Sequence, residues 1–371
     1  MRTARLNRYI LFRLSPLAAC VATILATAAP ALAHSELATN ESSEAVAVSA
    51  LDESGRSGQL ALRASRTAGA QAASPLRRGS TIHVTRCEDD TRAGSLRRAV
   101  LTAHSGDIID LSGLSCSTIT LASGAIVVGA DDLTVQGPRS GELTIDGHLA
   151  DRVFAHSGRG TLDLRDLQVS HGRFEADSAY GGCIYSKGSV SLTRTRVTLC
   201  AAVGRHKAAG GGVAALGDFS MQSSDLSANI ASATVGQSAM LVAAAGGALV
   251  HGHMTLHDST LSGNTVLAAK GKAYGGAAVI AELSAKRSTV AGNQAVAIDG
   301  AGDESSAGRM AATASVFLID TTASSTGAPG DGVFVDAGTT RVDLHTASPA
   351  TKLAMGGIVT IADLDTIASI R

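Results

Sequence analysis

From Leu162 onward, apolar and polar positions recur in one fixed order. Apolar or small residues fall at offsets 0, 2, 5 and 7 of each unit, with a distinctive residue at offset 10. One unit is Leu162, Leu164, Leu167, Val169 and Gly172, and the next is Val190, Leu192, Thr195, Val197 and Cys200. Three more follow, at Phe219, Met221, Ser224, Leu226 and Asn229, at Met254, Leu256, Ser259, Leu261 and Asn264, and at Leu283, Ala285, Ser288, Val290 and Asn293. A degenerate sixth reads Val316, Leu318, Thr321, Ala323 and Thr326, and the starts lie 28, 29, 35, 29 and 33 residues apart. Side chains two residues apart share one face of a strand, whereas the three- and four-residue steps of a helix are missing. Each unit is therefore a coil of short strands that pair with the same strands of the coils above and below. Stacking them predicts an all-β solenoid, a single-stranded parallel β-helix, with Leu192, Met221, Leu256 and Ala285 atop one another inside a tube.

The special offset refines this picture. Asn229, Asn264 and Asn293 occupy one position in three successive coils, which predicts a structural ladder of amides hydrogen-bonded at a bend. Offset 4 reads Asp166, Arg194, Ser223, Asp258, Arg287 and Asp320, so opposite charges mostly adjoin on neighbouring coils, as solvated surface pairs. Ahead of the coils, "STIHVTRC" alternates like a strand. "GSLRRAVLTAHSGD" then offers Ser95 as an N-cap, with Leu96, Ala99, Val100 and Ala103 at helical spacing, a short helix suited to covering the open end of the tube.

The first residues have a different texture. Arg2, Arg5, Arg8 and Arg13 precede an apolar stretch from Leu14 to Ala29, and Ala31-Leu32-Ala33 supplies small residues for cleavage. We read residues 1–33 as a secretory signal peptide, with lipoprotein anchoring at Cys20 as the minor alternative. No later segment is apolar for long enough to span a bilayer as a helix. Residues 34–80 are Ser, Ala, Glu, Arg and Gly without period, and read as a disordered linker. Residues 81–117 then form an N-terminal cap, 118–330 the β-helix, and 331–371 further strands that continue or cap it.

Composition sharpens the class. The chain has 41 Gly, 3% aromatics and no Trp, so its core must be built from small aliphatic side chains in many thin layers. Past residue 33, 27 Lys and Arg face 32 Asp and Glu. That acidic balance argues against a nucleic-acid partner. Cys87, Cys116, Cys183 and Cys200 remain, and export permits disulfides. Three pairings are open to four cysteines; proximity favours Cys87 with Cys116 and Cys183 with Cys200.

"CEDDTRAGSLRRAV" at 87–100 resembles the Cys and Gly-Ser-Leu-Arg element that opens many secreted bacterial right-handed β-helix proteins. "GGALV" with "LSGN", and "GGAAV" with "VAGN", resemble the repeats of polymorphic outer-membrane and pectate-lyase-like β-helix proteins. The resemblance covers about residues 81–330. It implies a right-handed helix and a secreted or cell-surface location, such as the outer membrane, with an adhesin-like, interaction or envelope structural role. The alternative it carries is a polysaccharide lyase or glycoside hydrolase.

Candidate chemistry is sparse. The three histidines of "VHGHMTLHD", His251, His253 and His257, do not fall on one strand face with a fourth ligand, so we assign no metal. Glycosidases need two carboxylates flanking the scissile bond, and lyases a basic residue with a calcium-binding acidic cluster. The outward row instead reads Thr134, Asp163, Ser191, Ser220, Thr255 and Ser284, with Asp131, Asp132 and Asp146 scattered. No catalytic residue and no cofactor is assigned. The segments "AAVGRHKAA", "IASATVGQSAMLVAAA" and "TVLAAKGKAY" leave at one corner and are expected to project as loops that form a binding surface. The expected partner is an extracellular ligand, a polysaccharide or a surface protein.

Overall fold

The computed structural model describes residues 79–234, 242–269, 272–274 and 278–297, together with the strands Met310–Ile319, Thr322–Ser324, Val333–Val335, Arg341–His345 and Leu353–Met355. These belong to one compact unit, Ala73–Arg371. The expected leader, Cys20 and nearly all of the expected linker lie outside the described residues. Ser80, at the end of the expected linker, donates from its backbone N–H to Asp107 at 2.7 Å.

The described chain is a parallel β-helix. Its strands pair only in parallel, coil on coil, in three sheets. One complete turn runs Ile184–Ser186 and Ser189–Thr193 in the first sheet, Arg196–Thr198 in the second and Ala201–Ala209 in the third. Registers match the repeat: Leu164 pairs with Leu192, Leu192 with Met221, Met221 with Leu256 and Leu256 with Ala285. Val135 and Ile109 extend that column toward the N-terminus, and every member is at most 1% exposed. Ile119, Ile145, Val169, Val197, Leu226, Leu261 and Val290 make the matching column of the second sheet. Only Phe154 and Phe219 put rings among the largest fully buried side chains. The strands after Met310 continue the first two sheets in register, those of 333–355 the first alone.

The corners show why the repeat has its odd offsets. Asp166, Arg194, Ser223, Asp258 and Arg287, all at offset 4, have φ between 48° and 53°. His171, Leu199, Ala228, Gly263 and Gly292, all at offset 9, have φ between 51° and 64°. A left-handed residue other than Gly costs about 1 kcal/mol or more, and from Arg194 onward the first corner is followed at once by a buried Thr or Ser, and from Ala228 onward the second by a buried Asn. After the first corner, Ser224 Oγ accepts the Thr195 N–H (3.1 Å), Ser259 Oγ that of Ser224 (3.2 Å) and Ser288 Oγ that of Ser259 (3.2 Å). After the second, Asn264 Oδ1 accepts from the Asn229 N–H (3.1 Å) and Nδ2 (2.9 Å), and Asn293 Oδ1 from the same groups of Asn264 (both 2.9 Å). The remaining amide protons go to the carbonyls of Val197, Leu226 and Leu261. Backbone groups freed where the chain bends thus find side-chain partners.

Two disulfides are present, Cys87–Cys116 and Cys183–Cys200. Cys200 sits at the ladder offset, and its N–H donates to Asn229 Oδ1 at 3.1 Å. Helix Leu96–Thr102 buries Leu96, Ala99 and Val100 over the end of the tube, with Ser95 as N-cap accepting from the Arg98 N–H. Arg97 grips Asp89 through two hydrogen bonds (2.7 and 3.0 Å) and reaches the carbonyls of Gly124 and Ala125. Asp89 also accepts from the N–H groups of Ala122 and Ser123. These bonds outweigh the burial that would raise the Asp89 carboxyl, and hold it below the usual range.

Where they fall on described residues, the expected projecting loops are corrected to paired strands. Ala201–Ala209 pairs with Arg173–Tyr180 on one side, and on the other with Ile230–Ala233 and then Val242–Ala244. Thr265–Ala268 and Lys272–Tyr274 repeat that arrangement one coil on. The chain runs out and back, turning where an added Cβ on Gly204 would lie 1.7 Å from the Lys207 carbonyl oxygen. Ala208, Ala231, Ala233, Ala243, Val266, Ala268, Ala273 and Ala295 form a second small apolar layer apart from the main core. Alternation of small apolar residues in "ASA", "VLA" and "QAV" turns these insertions into a third wall. Ala243, Ala244 and Ala245 are fully buried there, while Met240 and Leu241 lie outside the described residues.

Candidate functional site

The first sheet turns three rows of side chains outward. Its middle row is Ile108, Thr134, Asp163, Ser191, Ser220, Thr255 and Ser284. Parallel coils repeat at about 4.8 Å, so the row is a ruled line of mostly hydroxyl groups along the helix axis. Beside it, next to the first corner, run Asp110, Gln136, Arg165, Thr193, Gln222, His257 and Lys286.

At the N-terminal end of this face lies an open groove of about 690 Å³, whose floor includes Thr134, Gln136, Thr193 and Gln222 and whose charged groups are Asp110, Arg139, Arg165, Asp166 and Arg194. Asp166 forms the base, its side chain 2% exposed against 56% for Arg194. Arg194 Nε and Nη2 donate to its two oxygens at 2.6 and 2.8 Å, and Gln136 Nε2 donates at 2.5 Å. The Arg194 bonds, with help from Gln136, hold the Asp166 carboxyl below its usual range against the opposing effect of burial. Arg165 pairs with Asp163, Nε to Oδ2 at 2.7 Å. Asp110, lowered chiefly by its bond with Ser112, also meets His83 at 2.9 Å. Three guanidinium groups thus face three carboxylates counting Asp163, which leaves the groove close to neutral and rich in planar donors and acceptors.

Most acids singled out in the sequence serve the backbone. Asp131 accepts from the Arg159 N–H and Asp132 from the Thr161 N–H, both at 2.9 Å. Asp146 accepts from the His148 N–H at 2.7 Å and meets His171 Nδ1 at 3.0 Å. Asp163 differs, because its Oδ1 is buried on the outward face with no hydrogen-bond partner.

The three histidines separate. His251 is half-buried, its Nε2 without a partner, and burial pushes its imidazole toward the neutral form. His253 Nδ1 meets Glu282 at 2.6 Å. His257 Nδ1 meets Asp258 at 2.7 Å, with Arg287 Nη2 2.8 Å from its Nε2. Among the described residues no group of three or more His, Cys, Asp or Glu is placed to hold a metal ion. The groove itself was missed in the sequence, although Asp166 and Arg194 were visible at offset 4. The signal was there, in arginines on three consecutive coils, but only the corner geometry places Arg139 beside them.

No family model matches the chain, and no curated protein matches it. Among solved structures, the crystal structure of pectate lyase Pel9A is similar at 12% identity and a TM-score of 0.30, covering 75% of this chain and 82% of that one. So distant a likeness has no bearing on chemistry.

Proposed function

We propose that this chain is a secreted or cell-surface adhesion protein that holds an extended glycan along the outer face of its first sheet. The observation that carries the reading is the groove between Thr81 and Gln222, near-neutral and lined by guanidinium, amide and hydroxyl groups. Such groups satisfy the hydroxyls of a sugar in pairs, while the balanced charge gives a polyanion no advantage. The ruled row of hydroxyls beyond it continues a linear site at one step per coil. Export is supported by the basic and apolar N-terminus and by two disulfides. Cleavage of the polymer is not part of the proposal, because Asp131, Asp132, Asp146 and Asp166 already bind backbone or arginine.

The test is retention of the purified protein on a panel of neutral and acidic polysaccharides, with new reducing or unsaturated ends scored in parallel. Arg139→Ala with Arg165→Ala should weaken retention by about 10-fold per arginine, the equivalent of one charge-assisted hydrogen bond of about 1.4 kcal/mol each. Unchanged retention refutes the groove. One observation favours the enzymatic alternative, the unpartnered oxygen of Asp163. New ends that vanish in Asp163→Asn would establish a hydrolase or lyase in place of a binder.

A further inference from the structure

The strand Ala248–His257 carries a bulge. Val250 pairs with Ile280 and His253 with Glu282, so His251 and Gly252 together oppose one residue of the next coil. Bulges of this kind re-aim a side chain. Here the irregularity is held from below, since Asp218 Oδ1 accepts the His253 N–H at 2.9 Å. An added Cβ at Gly252 would lie 2.2 Å from that same oxygen, so a larger residue there would have to displace the Asp218 carboxylate from the His253 N–H. His253 is thereby fixed on the outward face. Its Nδ1 lies 2.6 Å from Glu282 Oε2, so that in the neutral ring Nδ1–H donates to the carboxylate and Nε2 carries the lone pair. The ring borders a depression of about 280 Å³ that is also lined by Ser189, Asp218, Ser220 and Thr255.

A histidine oriented by a carboxylate, with its second nitrogen free beside hydroxyl donors, has the parts of a general base. We propose that His253, oriented by Glu282, hydrolyses O-acyl esters presented to the first sheet. Water attacks the acyl carbon while His253 Nε2 takes its proton, and the Glu282 carboxylate stabilises the imidazolium. The tetrahedral intermediate collapses with cleavage of the bond between acyl carbon and alkoxy oxygen, and the imidazolium returns its proton to the departing alkoxide. The products are a carboxylic acid and a free hydroxyl. Ser220 and Thr255 are the donors for the oxyanion. For a polymeric substrate the proposal rests on the glycan reading above, since a chain leaving the groove along the axis passes over Ser191 and Ser220 to reach His253. Deacylation leaves the polymer backbone whole, consistent with carboxylates engaged elsewhere.

The experiment is hydrolysis of 4-nitrophenyl acetate by the full chain, which needs no groove, followed by acetate release from an acetylated polysaccharide. His253→Ala should lower kcat/KM by about 100-fold, in line with the loss of a general base. His257→Ala, on the same strand and outward face, should leave it unchanged. Glu282 is a positioning residue, so Glu282→Gln should lower kcat about 10-fold with KM unchanged, and Glu282→Asp should recover most of that loss. Wild-type turnover no faster than free imidazole at equal concentration overturns the proposal, as does equal activity in His253→Ala. A silent ester assay with intact glycan retention sinks the histidine and spares the groove; an active ester assay without retention does the reverse.

Discussion

Replacing Asn264 by Ala tests the physical basis of the stacked coils. Asn264 is fully buried. Its Oδ1 accepts from the Asn229 N–H and Nδ2, and its Nδ2 donates to the Leu226 carbonyl and to Asn293 Oδ1. Truncation removes all four bonds and takes from the Asn229 N–H and the Leu226 carbonyl the side-chain partner each has in this ladder. Each buried group so stranded costs about 1–3 kcal/mol, which places the expected loss for the two at about 2–6 kcal/mol. Asn264→Asp keeps the acceptor but points a second oxygen at the Leu226 carbonyl and Asn293 Oδ1. Its carboxyl should be raised by burial, so that variant should be less unstable below pH 4 than at neutral pH. Ser262→Ala, on the outer face of the same coil, should stay within about 0.5 kcal/mol of wild type. Denaturation followed by far-UV circular dichroism, with amide exchange at Thr265 and Val266 to catch local opening in a repeat array, reads all three. A loss below about 1 kcal/mol for Asn264→Ala would refute the claim that side-chain ladders offset the strain of the left-handed corners.

Two further outcomes follow from the same reasoning. Asp89, held below its usual range by Arg97 and by the backbone N–H groups of Ser123 and Ala122, contributes stability that is present above the unfolded carboxyl value of about 3.9 and lost as pH falls through the lower folded value. Arg97→Ala should flatten that acid limb in a melting-temperature series from pH 7 to pH 2, and an unchanged slope would show the pair to be idle. Arg152 stacks 3.2 Å from the Phe174 ring centroid and donates to the carbonyls of Tyr180 and Gly181, and burial pulls its guanidinium down to about 10. Arg152→Ala should destabilise by about 2–4 kcal/mol, Arg152→Lys by somewhat less, both read by thermal melts; a shift under about 0.5 kcal/mol would place the third-sheet corner's stability elsewhere.

Much of the architecture was legible because a strand's period of two survives any substitution that keeps size and polarity. Leu192, Met221, Leu256 and Ala285 differ in shape yet share one offset, so their stacking could be read from spacing alone. The third wall was not legible in that way. "IASA" and "TVLA" are too short and too uniformly small to show a period, and their partner strands lie 29 to 35 residues away. The groove was hidden for another reason. Arg139, Arg165 and Arg194 fall at three different positions relative to the repeat, and only the left-handed bend at offset 4 turns them toward one hollow.

The distribution of carboxylates bears on function more directly than any motif. A parallel coil that turns three times exposes unpaired N–H groups at each bend, and a short acidic side chain is the cheapest acceptor for them. Asp107, Asp131, Asp132, Asp146, Asp151 and Asp218 all accept from backbone N–H groups. An acid held in that way cannot leave to protonate a glycosidic oxygen without unfastening a coil. Chemistry on this scaffold must therefore come from side chains that the bends do not use. On the outward face of the first sheet, the arginines of the groove, the free oxygen of Asp163, and His253 with Glu282 are among such groups in the described residues. The binding, polymer-cleaving and ester-cleaving readings divide along those three sets, so Arg139→Ala with Arg165→Ala, Asp163→Asn and His253→Ala, assayed side by side, test each of them separately.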